Sequence, residues 1–365
     1  MENWKVIKFK EFIQLQRGFD LFKSEYIDGP YPVIGATEIA GYHKYHKVKG
    51  PSLVVGRVGT IGNVQYVEGD YWPHQDCLWL KDRKGNDLKF IYYYLKVLPL
   101  SHMNAGGAVP ALNRNHLDGI DVNIPDLPTQ QRIAGILSAY DELIEVNNQR
   151  IQLLEDTARQ LYKEWFVRLR FPGHEQTNFV KGVPDSWSEI SFRDFIKLNR
   201  GFDLPDEQIT EGEYPVVAST SIKAYHNQYK IEAPCVATGR SGSLGTVQYI
   251  NQRSWPLNTS LYVKDFKGNS PRYVYYLLQS LNLESFNAGA GVPSLNQNHL
   301  HSLKFAVPPK KLQKRFDDFI MPIFDQIETL QSQNKQLRHI RDRLLPRLIS
   351  GKLSVGAVQA GRENV

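Results

Sequence analysis

The sequence repeats itself at a constant offset, and this duplication constrains the fold more than any other feature. Arg-Gly-Phe-Asp-Leu stands at positions 17–21 and again at 200–204, and Trp-Pro stands at 72–73 and again at 255–256. Nine of the thirteen residues at 105–117 are identical to those at 288–300. The matching segments need no gap between them, so the sequence predicts two copies of one domain.

A repeat of this length is a duplicated domain, because solenoid repeats span roughly 20 to 50 residues. A monomer built from two such copies can imitate a two-fold symmetric dimer. Two-fold symmetric proteins commonly contact two half-sites on a two-fold symmetric partner, and duplex DNA is the most frequent example. The net charge of +6 and the isoelectric point near 9.0 are compatible with a polyanionic partner, although many basic proteins bind none. The duplication therefore favours DNA binding.

The two cysteines, Cys77 and Cys235, align with serines in the other copy, Ser260 and Ser52. A disulfide framework and a thiolate metal site are therefore not expected. The first residues lack the apolar core of a signal peptide, and no stretch approaches the roughly 18 apolar residues of a membrane span. We expect a soluble, cytoplasmic protein.

Each copy divides into a globular part and a long helix. In the globular parts, short apolar runs such as 52–55 and 63–67 predict strands with tight turns, and residues 90–95 and 273–278 predict helices. The predicted fold class is α+β: a tandem duplication of a mixed α/β domain plus a long helix, the two helices pairing as an antiparallel coiled coil with pseudo-two-fold symmetry. The predicted boundaries are 1–127 for the first globular domain, 128–171 for the first long helix, 172–183 for a linker, 184–308 for the second globular domain, 309–351 for the second long helix and 352–365 for a flexible tail.

The long helices are predicted from apolar residues that alternate in steps of three and four, which is the heptad pattern of a coiled coil. Thr129 can cap the first helix. Pro322 should kink the second helix or mark its true start, and Lys310 and Lys311, where the first copy has Leu-Pro, leave that start open. The principal residues of the predicted seam are Leu137, Ile144, Asn147, Ile151, Leu154, Leu161, Ile320, Ile327, Leu330, Asn334, Leu337 and Leu344.

Each apolar seam is broken once by asparagine. A pseudo-two-fold axis perpendicular to the helices requires antiparallel pairing, and one antiparallel register places Asn147 opposite Asn334. A buried Asn pair costs stability but specifies register. The alternative is that each Asn lies at a solvated edge of the seam, and the sequence leaves both interpretations open.

The Gly-Arg-x-Gly-x-x-Gly segments at 56–62 and 239–245 have neither the glycine spacing of the dinucleotide motif nor that of the Walker phosphate loop. Strand-like residues follow them, whereas both motifs lead into a helix. One interpretation is a tight hairpin that needs positive φ at glycine. The other is that the backbone amides and the shared arginine, Arg57 or Arg240, contact a DNA phosphate or a guanine edge.

The segments 113–116 and 296–299 carry amide and basic side chains after an Ala/Gly run that we expect to be flexible. Asn and Gln suit adenine, and Arg suits guanine. Arg114 and Gln297 occupy equivalent positions in the two copies, so a difference in sequence between the two half-sites would be encoded there. For Asn115 and His116 we prefer structural roles, as a helix cap and a core residue. The residues predicted to contact DNA are Arg17, His43, Arg57, Thr60, Asn113 and Arg114 in the first copy and Arg200, His226, Arg240, Ser243, Asn296 and Gln297 in the second, with the two histidines either structural or facing phosphate.

Motifs for catalysis are missing from the sequence. We find no His-Glu-x-x-His or Cys/His metal pattern, no nucleophile elbow, and no glycine loop or Asn/Asp-Pro-Pro-aromatic motif of an adenine methyltransferase. The expectation is a chain without catalytic residues and without a metal or cofactor of its own.

The order of these segments, together with the Ile-Pro-x-Leu-Pro-x-x-Gln entry into a long helix and the closing Leu-Leu-Pro-Arg-Leu-Ile-Ser-Gly-Lys at 344–352, resembles the specificity subunit of type I restriction-modification systems over essentially the whole length. The resemblance implies that each globular part is a target-recognition domain reading one half of a bipartite DNA sequence. It also implies that the helices form a spacer and dock two modification subunits, which methylate adenine, and that a translocating nuclease subunit can join them.

The implied partners are double-stranded DNA, two methyltransferase subunits and restriction/translocase subunits. S-adenosylmethionine, ATP and Mg are then expected on those partner subunits and not on this chain. Two other functions remain open at this point: a self-contained DNA-modifying or DNA-cleaving enzyme, and a two-domain adaptor that binds protein.

Overall fold

The computed structural model describes residues 3–103, 111–289 and 291–359. The chain forms two compact units, the first from two stretches of sequence and the second from one. Unit 1 comprises residues 1–149 and 331–365, and unit 2 comprises residues 150–330. Both long helices therefore contribute one part to each unit.

The elements of the globular part of unit 1 are, in chain order, β1 (Trp4–Lys8), α1 (Phe9–Phe12), β2 (Gln14–Arg17), β3 (Tyr31–Ile34), β4 (Ile39–His43), β5 (Ser52–Gly56), β6 (Val64–Val67), β7 (Trp72–Pro73), β8 (Cys77–Asp82), α2 (Leu88–Val97), α3 (Arg114–Asp118) and β9 (Asp121–Pro125). The first long helix, α4, follows at Leu127–Tyr162 and continues as a π-helical turn at Lys163–Val167. Single 3-10 turns lie at Lys23–Glu25 and Leu100–His102.

Unit 2 repeats this order after a short hairpin. Its elements are β10 (Phe179–Val180), β11 (Val183–Pro184), β12 (Ser188–Ser191), α5 (Phe192–Phe195), β13 (Lys197–Arg200), β14 (Tyr214–Val217), β15 (Ile222–His226), β16 (Cys235–Gly239), β17 (Val247–Ile250), β18 (Trp255–Pro256), β19 (Ser260–Asp265), α6 (Pro271–Ser280), α7 (Gln297–Ser302) and β20 (Lys304–Val307). The second long helix, α8, spans Lys310–Ile349, and α9 spans Val355–Gln359. Short 3-10 turns lie at His174–Gln176, Asp206–Gln208 and Leu283–Phe286.

The sequence offset is carried into the structure without a gap. From α1 to α2, every helix and strand begins and ends at the repeat equivalents of its counterpart in unit 2. Each unit has a four-stranded antiparallel sheet, in the order β2-β8-β5-β6 or β13-β19-β16-β17. Each also has a three-stranded sheet with one parallel pair, β3 with β7 or β14 with β18, and a two-stranded sheet, β1-β9 or β12-β20. The α+β prediction and the predicted strands and helices are confirmed.

Local chemistry explains the short helices. The Asp87 side chain accepts a hydrogen bond from the Phe90 amide, 2.9 Å away, and thereby caps α2. Ser270 caps α6 in the same way through the Tyr273 amide at 3.0 Å. A side-chain oxygen at this position satisfies one of the backbone N–H groups that a helix start leaves without a partner.

The core of unit 1 joins its sheet to both long helices. Phe9, Phe12 and Phe90 pack with Leu137 of α4 and Leu344 of α8, and all five side chains are buried. In unit 2 the corresponding core contains Phe192, Phe195, Tyr273 and Phe316, together with Ala158 of α4 and Ile320 of α8. Burial of aromatic side chains against the helices therefore holds each globular part in place.

The starts of the long helices differ from the prediction. Helix α4 is capped by Asp126, whose carboxylate accepts a hydrogen bond from the Thr129 amide at 3.1 Å, and Thr129 itself is buried. Hydrogen bonds from Thr129 hold the pKa of Asp126 below its usual range. Helix α8 begins at Lys310, the repeat equivalent of Leu127, and runs through Pro322. Pro322 is therefore not the start of the second helix.

The tail is ordered where the structure describes it. Leu353 and Val355 are 2% and 0% exposed and belong to the core of unit 1. Apolar burial of these two side chains holds this part of the segment that the sequence analysis predicted to be a flexible tail from residue 352. The predicted linker at 172–183 also contains structure, namely a 3-10 turn and part of the β10-β11 hairpin.

Candidate nucleic-acid interface

The Gly-Arg-x-Gly-x-x-Gly segment of each unit, at 56–62 or 239–245, is called the arginine turn below. It connects a central strand of the four-stranded sheet to its edge strand. In unit 1 the turn links β5 to β6, and Gly59 and Gly62 adopt φ values of +77° and +81°. In unit 2, Gly242 and Gly245 adopt +86° and +93° in the equivalent turn. Only glycine reaches these values without steric strain, so the glycine spacing is explained by the hairpin. The hairpin interpretation is confirmed, and it leaves the arginine available for a second role.

The arginine turn is joined by backbone hydrogen bonds to the Asn-containing segment, which lies far from it in the sequence. In unit 1 the Leu112 amide donates to the Arg57 carbonyl at 2.9 Å. In unit 2 the Leu295 amide donates to the Arg240 carbonyl at 2.8 Å. Two motifs that the sequence presents separately therefore form one surface in each unit.

In unit 1 this surface is a cleft of about 360 Å³. Four of the residues predicted to contact DNA line it: Arg17, Arg57, Asn113 and Arg114. Three of these four side chains are guanidinium groups, which suit phosphate oxygens and guanine edges. Among the described residues, the half-buried Arg57 guanidinium has no hydrogen-bond or carboxylate partner. Arg57 is therefore the cation of the cleft that is most readily available to a phosphate.

The other polar residues of the two turns are also accessible. Thr60 and Ser243, predicted to contact DNA, are exposed at equivalent places. Arg240 is half-buried like Arg57, but its Nη1 donates to the Asn258 carbonyl at 3.5 Å. A hydroxyl and a guanidinium group on one turn can both donate to a phosphate oxygen.

The peripheral arginines are partly engaged. Arg17 Nη2 lies 2.6 Å from Asp20 Oδ1, and Arg200 makes the equivalent contact with Asp203 at 3.5 Å. Both arginine side chains remain about half exposed. The Arg114 Nε lies 4.0 Å from Asp118, so this guanidinium is held on α3 and still faces solvent. Because a guanidinium group has five N–H donors, each of these half-exposed cations keeps donors for a phosphate beside its carboxylate contact.

The amide groups predicted to read adenine are used inside the protein. Asn113 Oδ1 accepts a hydrogen bond from the Asn115 amide at 2.9 Å, and Asn296 Oδ1 accepts from the Asn298 amide at 2.9 Å. Both residues therefore cap short helices, α3 and α7. The amide oxygen of Gln297 is buried without a partner among the described residues, so the side chain would have to turn for bidentate contact with adenine.

The roles within this segment are exchanged relative to the prediction. Asn113 is the cap, whereas Asn115 and His116 are exposed, and Asn115 lines the cleft of unit 1. His299 of unit 2 is exposed as well. Asn113 is half-buried and its counterpart Asn296 is exposed, so the caps are accessible in part beside the exposed residues that follow them. The preceding Ala/Gly run of the first copy, at 105–110, lies outside the described residues.

The two predicted histidines are core residues and do not face DNA. His43 is 4% exposed, and its ring packs against Trp72 with the ring centres 4.8 Å apart. His226 is 5% exposed and packs against Trp255 at 5.3 Å. The Nδ1 atom of each accepts a backbone amide at 3.0 Å, from Tyr45 or from Thr210. A phosphate cannot reach a ring that is enclosed in this way, so the prediction of DNA contact is wrong.

A further segment next to the turn was not singled out by its sequence. The carbonyl of Asp76 accepts hydrogen bonds from the Arg57 amide at 2.8 Å and the Val58 amide at 3.2 Å. In unit 2 the carbonyl of Thr259 does the same for Arg240 at 2.8 Å. The residues before these positions differ between the copies, although the Trp-Pro dipeptide that precedes them is shared. Divergence inside a repeated framework was the signal that could have pointed to this segment.

The segment lines a second cleft in unit 1, of about 390 Å³, to which His74, Gln75, Asp76, Tyr26 and Glu38 all contribute. Burial raises the pKa of Tyr26, and the nearby Asp76 carboxylate raises it further. The cleft lined by Arg57 is thus rich in guanidinium groups, whereas the cleft lined by Asp76 carries carboxylates.

The globular part of each unit is fixed to its long helix by a buried glutamine. Gln130 Oε1 accepts from the Asp87 amide at 3.0 Å, and Gln130 Nε2 donates to Asn86 Oδ1 at 2.8 Å and to the Pro125 carbonyl at 3.0 Å. Gln313 makes the three equivalent bonds, to Ser270, Asn269 and Pro308. In both glutamines the side-chain oxygen and nitrogen are hydrogen-bonded, so each glutamine positions its long helix relative to the globular part of its unit.

In unit 1 the seam of the long helices is confirmed by its polar contacts. Asn147 Nδ2 donates to Asn334 Oδ1 at 3.0 Å, and both side chains are 2% exposed. Nearer the start of α4, Asp141 forms an ion pair with Arg341, so positions that rise along α4 meet positions that fall along α8. The pairing is therefore antiparallel, and the solvated-edge alternative for the two asparagines is excluded.

The seam residues are partly or fully covered by the chain itself. Seven of the twelve are buried, namely Leu137, Ile144, Asn147, Ile320, Leu330, Asn334 and Leu344, and the others are half-buried: Ile151, Leu154, Leu161, Ile327 and Leu337. Large apolar side chains that do face solvent on the helices include Leu143 and Val146 in unit 1 and Phe319 and Met321 in unit 2. These exposed apolar side chains are the candidates for a docking surface on the helices.

Two chemical features of the described ranges complete the picture. Cys77 and Cys235 are buried and unpaired, and burial raises the pKa of both thiols to about 12. Across residues 3–103, 111–289 and 291–359, no group of three or more His, Cys, Asp or Glu side chains is placed to hold a metal ion. No helix in the part of the chain that the structure describes is long and apolar enough to cross a membrane.

Comparison with known proteins assigns these features to a family. The model of the type I restriction modification DNA specificity domain matches residues 1–156 and again residues 184–339. The MjaIX type I specificity subunit of Methanocaldococcus jannaschii is 24% identical, over 97% of this chain and 94% of that protein. A putative type I specificity subunit of Mycoplasma pneumoniae is 23% identical, over 93% of this chain and 97% of that protein.

The fold is shared with a solved structure. The crystal structure of a type I restriction-modification S subunit from M. genitalium superposes with a TM-score of 0.64 at 19% identity, covering 95% of this chain and 96% of that chain. Two repeated recognition domains on paired helices define a tandem DNA-specificity protein. The chain belongs to the type I restriction modification DNA specificity family, whose members are non-catalytic components of the restriction-modification complex.

Proposed function

We propose that this chain directs a type I restriction-modification complex to a bipartite DNA target, with one half-site contacted by each unit. Two short half-sites in opposed orientation then flank a spacer that no residue reads. Because the two globular parts share their framework, we expect the half-sites to be related in sequence and near-palindromic.

One observation carries this proposal. In both units the arginine turn is joined to the Asn-containing segment by the same backbone bonds, at Leu112 with Arg57 and at Leu295 with Arg240. The hairpin itself requires the glycines of the turn but no arginine. Repeating a half-buried cation at the same place in two domains favours a polyanion that both domains contact.

The long helices supply the surface for the partner subunits in this proposal. Their buried seam is used within the chain, while Leu143 and Val146 on α4 and Phe319 and Met321 on α8 are each about half exposed. Apolar side chains of this size on a helix surface are typical of protein interfaces. We assign the docking of two adenine methyltransferase subunits to these faces, with the nuclease/translocase subunit joining through them.

The chemistry then belongs to the partners. S-adenosylmethionine would be held by the methyltransferase subunits, and ATP and Mg by the translocase, while this chain holds no cofactor. The complex would act where its DNA target is, in the cytoplasm.

Long-read mapping of methylated adenines in cells with and without this gene tests the proposal. We expect a bipartite motif that disappears with the gene. One continuous asymmetric motif, or a methylation pattern that does not depend on the gene, would contradict it. Cells that carry an unrelated gene in the same vector are the control, and they separate the effect of this chain from that of the host and the vector.

A further inference from the structure

The Asp76 side chain is held in one orientation and keeps one oxygen free. His74 Nδ1 lies 2.9 Å from Asp76 Oδ2, and the other ring nitrogen of His74 lies 3.1 Å from the Leu21 carbonyl. The His74 side chain is 14% exposed, so the ring is fixed from both sides, while the Asp76 side chain is 46% exposed. Within the described residues, Asp76 Oδ1 accepts no hydrogen bond. The result is an oriented carboxylate with an acceptor that faces solvent.

The position of this carboxylate is set by the arginine turn. The same residue whose side chain faces the second cleft accepts the Arg57 and Val58 amides through its carbonyl, at 2.8 and 3.2 Å. Arg57 and Asp76 are therefore neighbours, joined by a backbone hydrogen bond. One contributes a guanidinium group and the other a carboxylate to the surface that contacts DNA in the proposed function. A phosphate that approaches Arg57 brings the adjacent base edges near Asp76.

Unit 2 has the same backbone but different side chains. Thr259 replaces Asp76 and accepts the Arg240 amide through its carbonyl at 2.8 Å, and Leu257 replaces His74. Ser219, which stands where unit 1 has Ala36, also donates to the Thr259 carbonyl at 2.9 Å. The contact between a histidine ring and the carboxylate at this position is thus confined to unit 1, while the arginine turn is common to both.

We infer that Asp76, oriented by His74, is a specificity-determining residue that accepts a hydrogen bond from the exocyclic amine of a cytosine in the half-site of unit 1, whereas Thr259 makes no such demand in unit 2. This inference rests on the proposed function. Carboxylates accept hydrogen bonds from cytosine N4 in the major groove, and threonine accommodates several bases.

A carboxylate beside the DNA backbone also acts by exclusion. DNA phosphates repel it, and a base that presents an acceptor at this place leaves the carboxylate without a donor. Specificity often comes from such a penalty against the wrong partner as much as from the contact with the right one. Removal of the charge should therefore relax the choice of base more than it weakens binding.

The test compares methylated-adenine maps from cells that express the full complex with wild-type chain, Asp76→Asn, Asp76→Thr or Thr259→Asp. Asp76→Thr introduces the residue that unit 2 carries on the same backbone, which keeps the test valid if Asp76→Asn folds poorly. The control is Asp82→Asn, which removes a carboxylate from the other end of β8, about 20 Å away at about 3.3 Å per residue.

In the wild-type motif we expect a C·G pair in one half-site. Asp76→Asn and Asp76→Thr should each reduce the preference for that pair roughly 5- to 150-fold, as the loss of one good base contact implies, and leave the other half-site unchanged. Thr259→Asp lacks the orienting histidine, because Leu257 stands at that position, so it should change the choice of base in the other half-site less than the Asp76 variants change theirs, and Asp82→Asn should alter neither.

Two results would overturn the inference while the proposed function stands. In the first, both Asp76 variants methylate the wild-type motif with its original preference. In the second, both lose methylation of every sequence although they still co-purify with their partners. A complete absence of gene-dependent methylation in the wild type would instead contradict the proposed function itself.

Discussion

Asn147 donates a hydrogen bond to Asn334 across the seam of the two long helices, and Asn334 in turn donates to Asn148 Oδ1 at 2.9 Å. Asn147→Leu should lower the free energy of unfolding by about 1–3 kcal/mol, because it leaves the buried Asn334 Oδ1 without its donor. The double variant Asn147→Leu/Asn334→Leu should be more stable than either single variant, since two apolar side chains need no partner. Urea unfolding of the purified chain measures this.

Gln333→Leu is the matched control for the asparagine pair, because Gln333 precedes Asn334 on α8 and is exposed. It should change the free energy of unfolding by less than about 0.5 kcal/mol. If the effects of the two single Asn substitutions simply add in the double variant, the two amides are not coupled and the pair does not specify the register.

Gln130→Leu should loosen the attachment of the globular part of unit 1 to α4. The substitution leaves the Asp87 amide and the Pro125 carbonyl without their present partner, which costs about 1–3 kcal/mol for a buried group. Hydrogen exchange at the Asp87 amide should accelerate, while exchange at Ser270, the equivalent amide of unit 2, should not. Gln131→Leu, at the exposed neighbouring position, should leave both rates unchanged, and equal acceleration in both units would contradict a local role for Gln130.

Arg57→Ala should weaken binding to all duplexes alike and reduce the slope of log affinity against log salt by about one, if Arg57 contacts phosphate. We favour this outcome, since an arginine shared by two domains with different targets carries little sequence information. A guanine contact would instead cost about 1–3 kcal/mol and only for one half-site. Arg240→Ala should behave identically in unit 2.

A salt titration of the complex, on duplexes with each half-site scrambled in turn, distinguishes these cases. Arg83→Ala is the control, because Arg83 is exposed in the turn that follows β8, at the end away from Asp76. Neither turn variant should disturb assembly with the partner subunits. Wild-type affinity and slope for both would remove the arginine turn from the interface.

Removal of one heptad from each long helix should shorten the unread spacer of the target. In the register of the asparagine pair, residues 148–154 and 327–333 are matched, and their deletion retains both Asn147 and Asn334. Helix rise of about 1.5 Å per residue makes this a loss of about 10 Å, close to three base pairs of duplex. Methylation mapping should show the same half-sites with a shorter spacer, and an unchanged spacer in an active deletant would show that the helices do not set it.

The sequence alone determined the architecture, because its signals are local or repeated. A constant offset between matching segments predicted two equivalent units, and strands and helices recur at that offset from α1 to α2. Heptad spacing predicted the long helices, and the single Asn in each seam offered a register that the structure then selected over a solvated edge. Asp126, which caps α4, was missed in favour of Thr129 because both residue types are good caps and both stand at the start of the helix.

The tertiary structure decided which polar side chains face outward, and no local pattern contains that information. His43 and Asn113 were predicted to contact DNA, yet packing against Trp72 encloses the first, and the amide of Asn115 engages the second. Asp76 was unremarked in the sequence, and only the hydrogen bonds from Arg57 and Val58 place it beside the arginine turn. Exposure and proximity arise from contacts between residues that are distant in the chain, whereas periodicity and capping arise from neighbours, so the sequence predicted the elements and the fold selected the site.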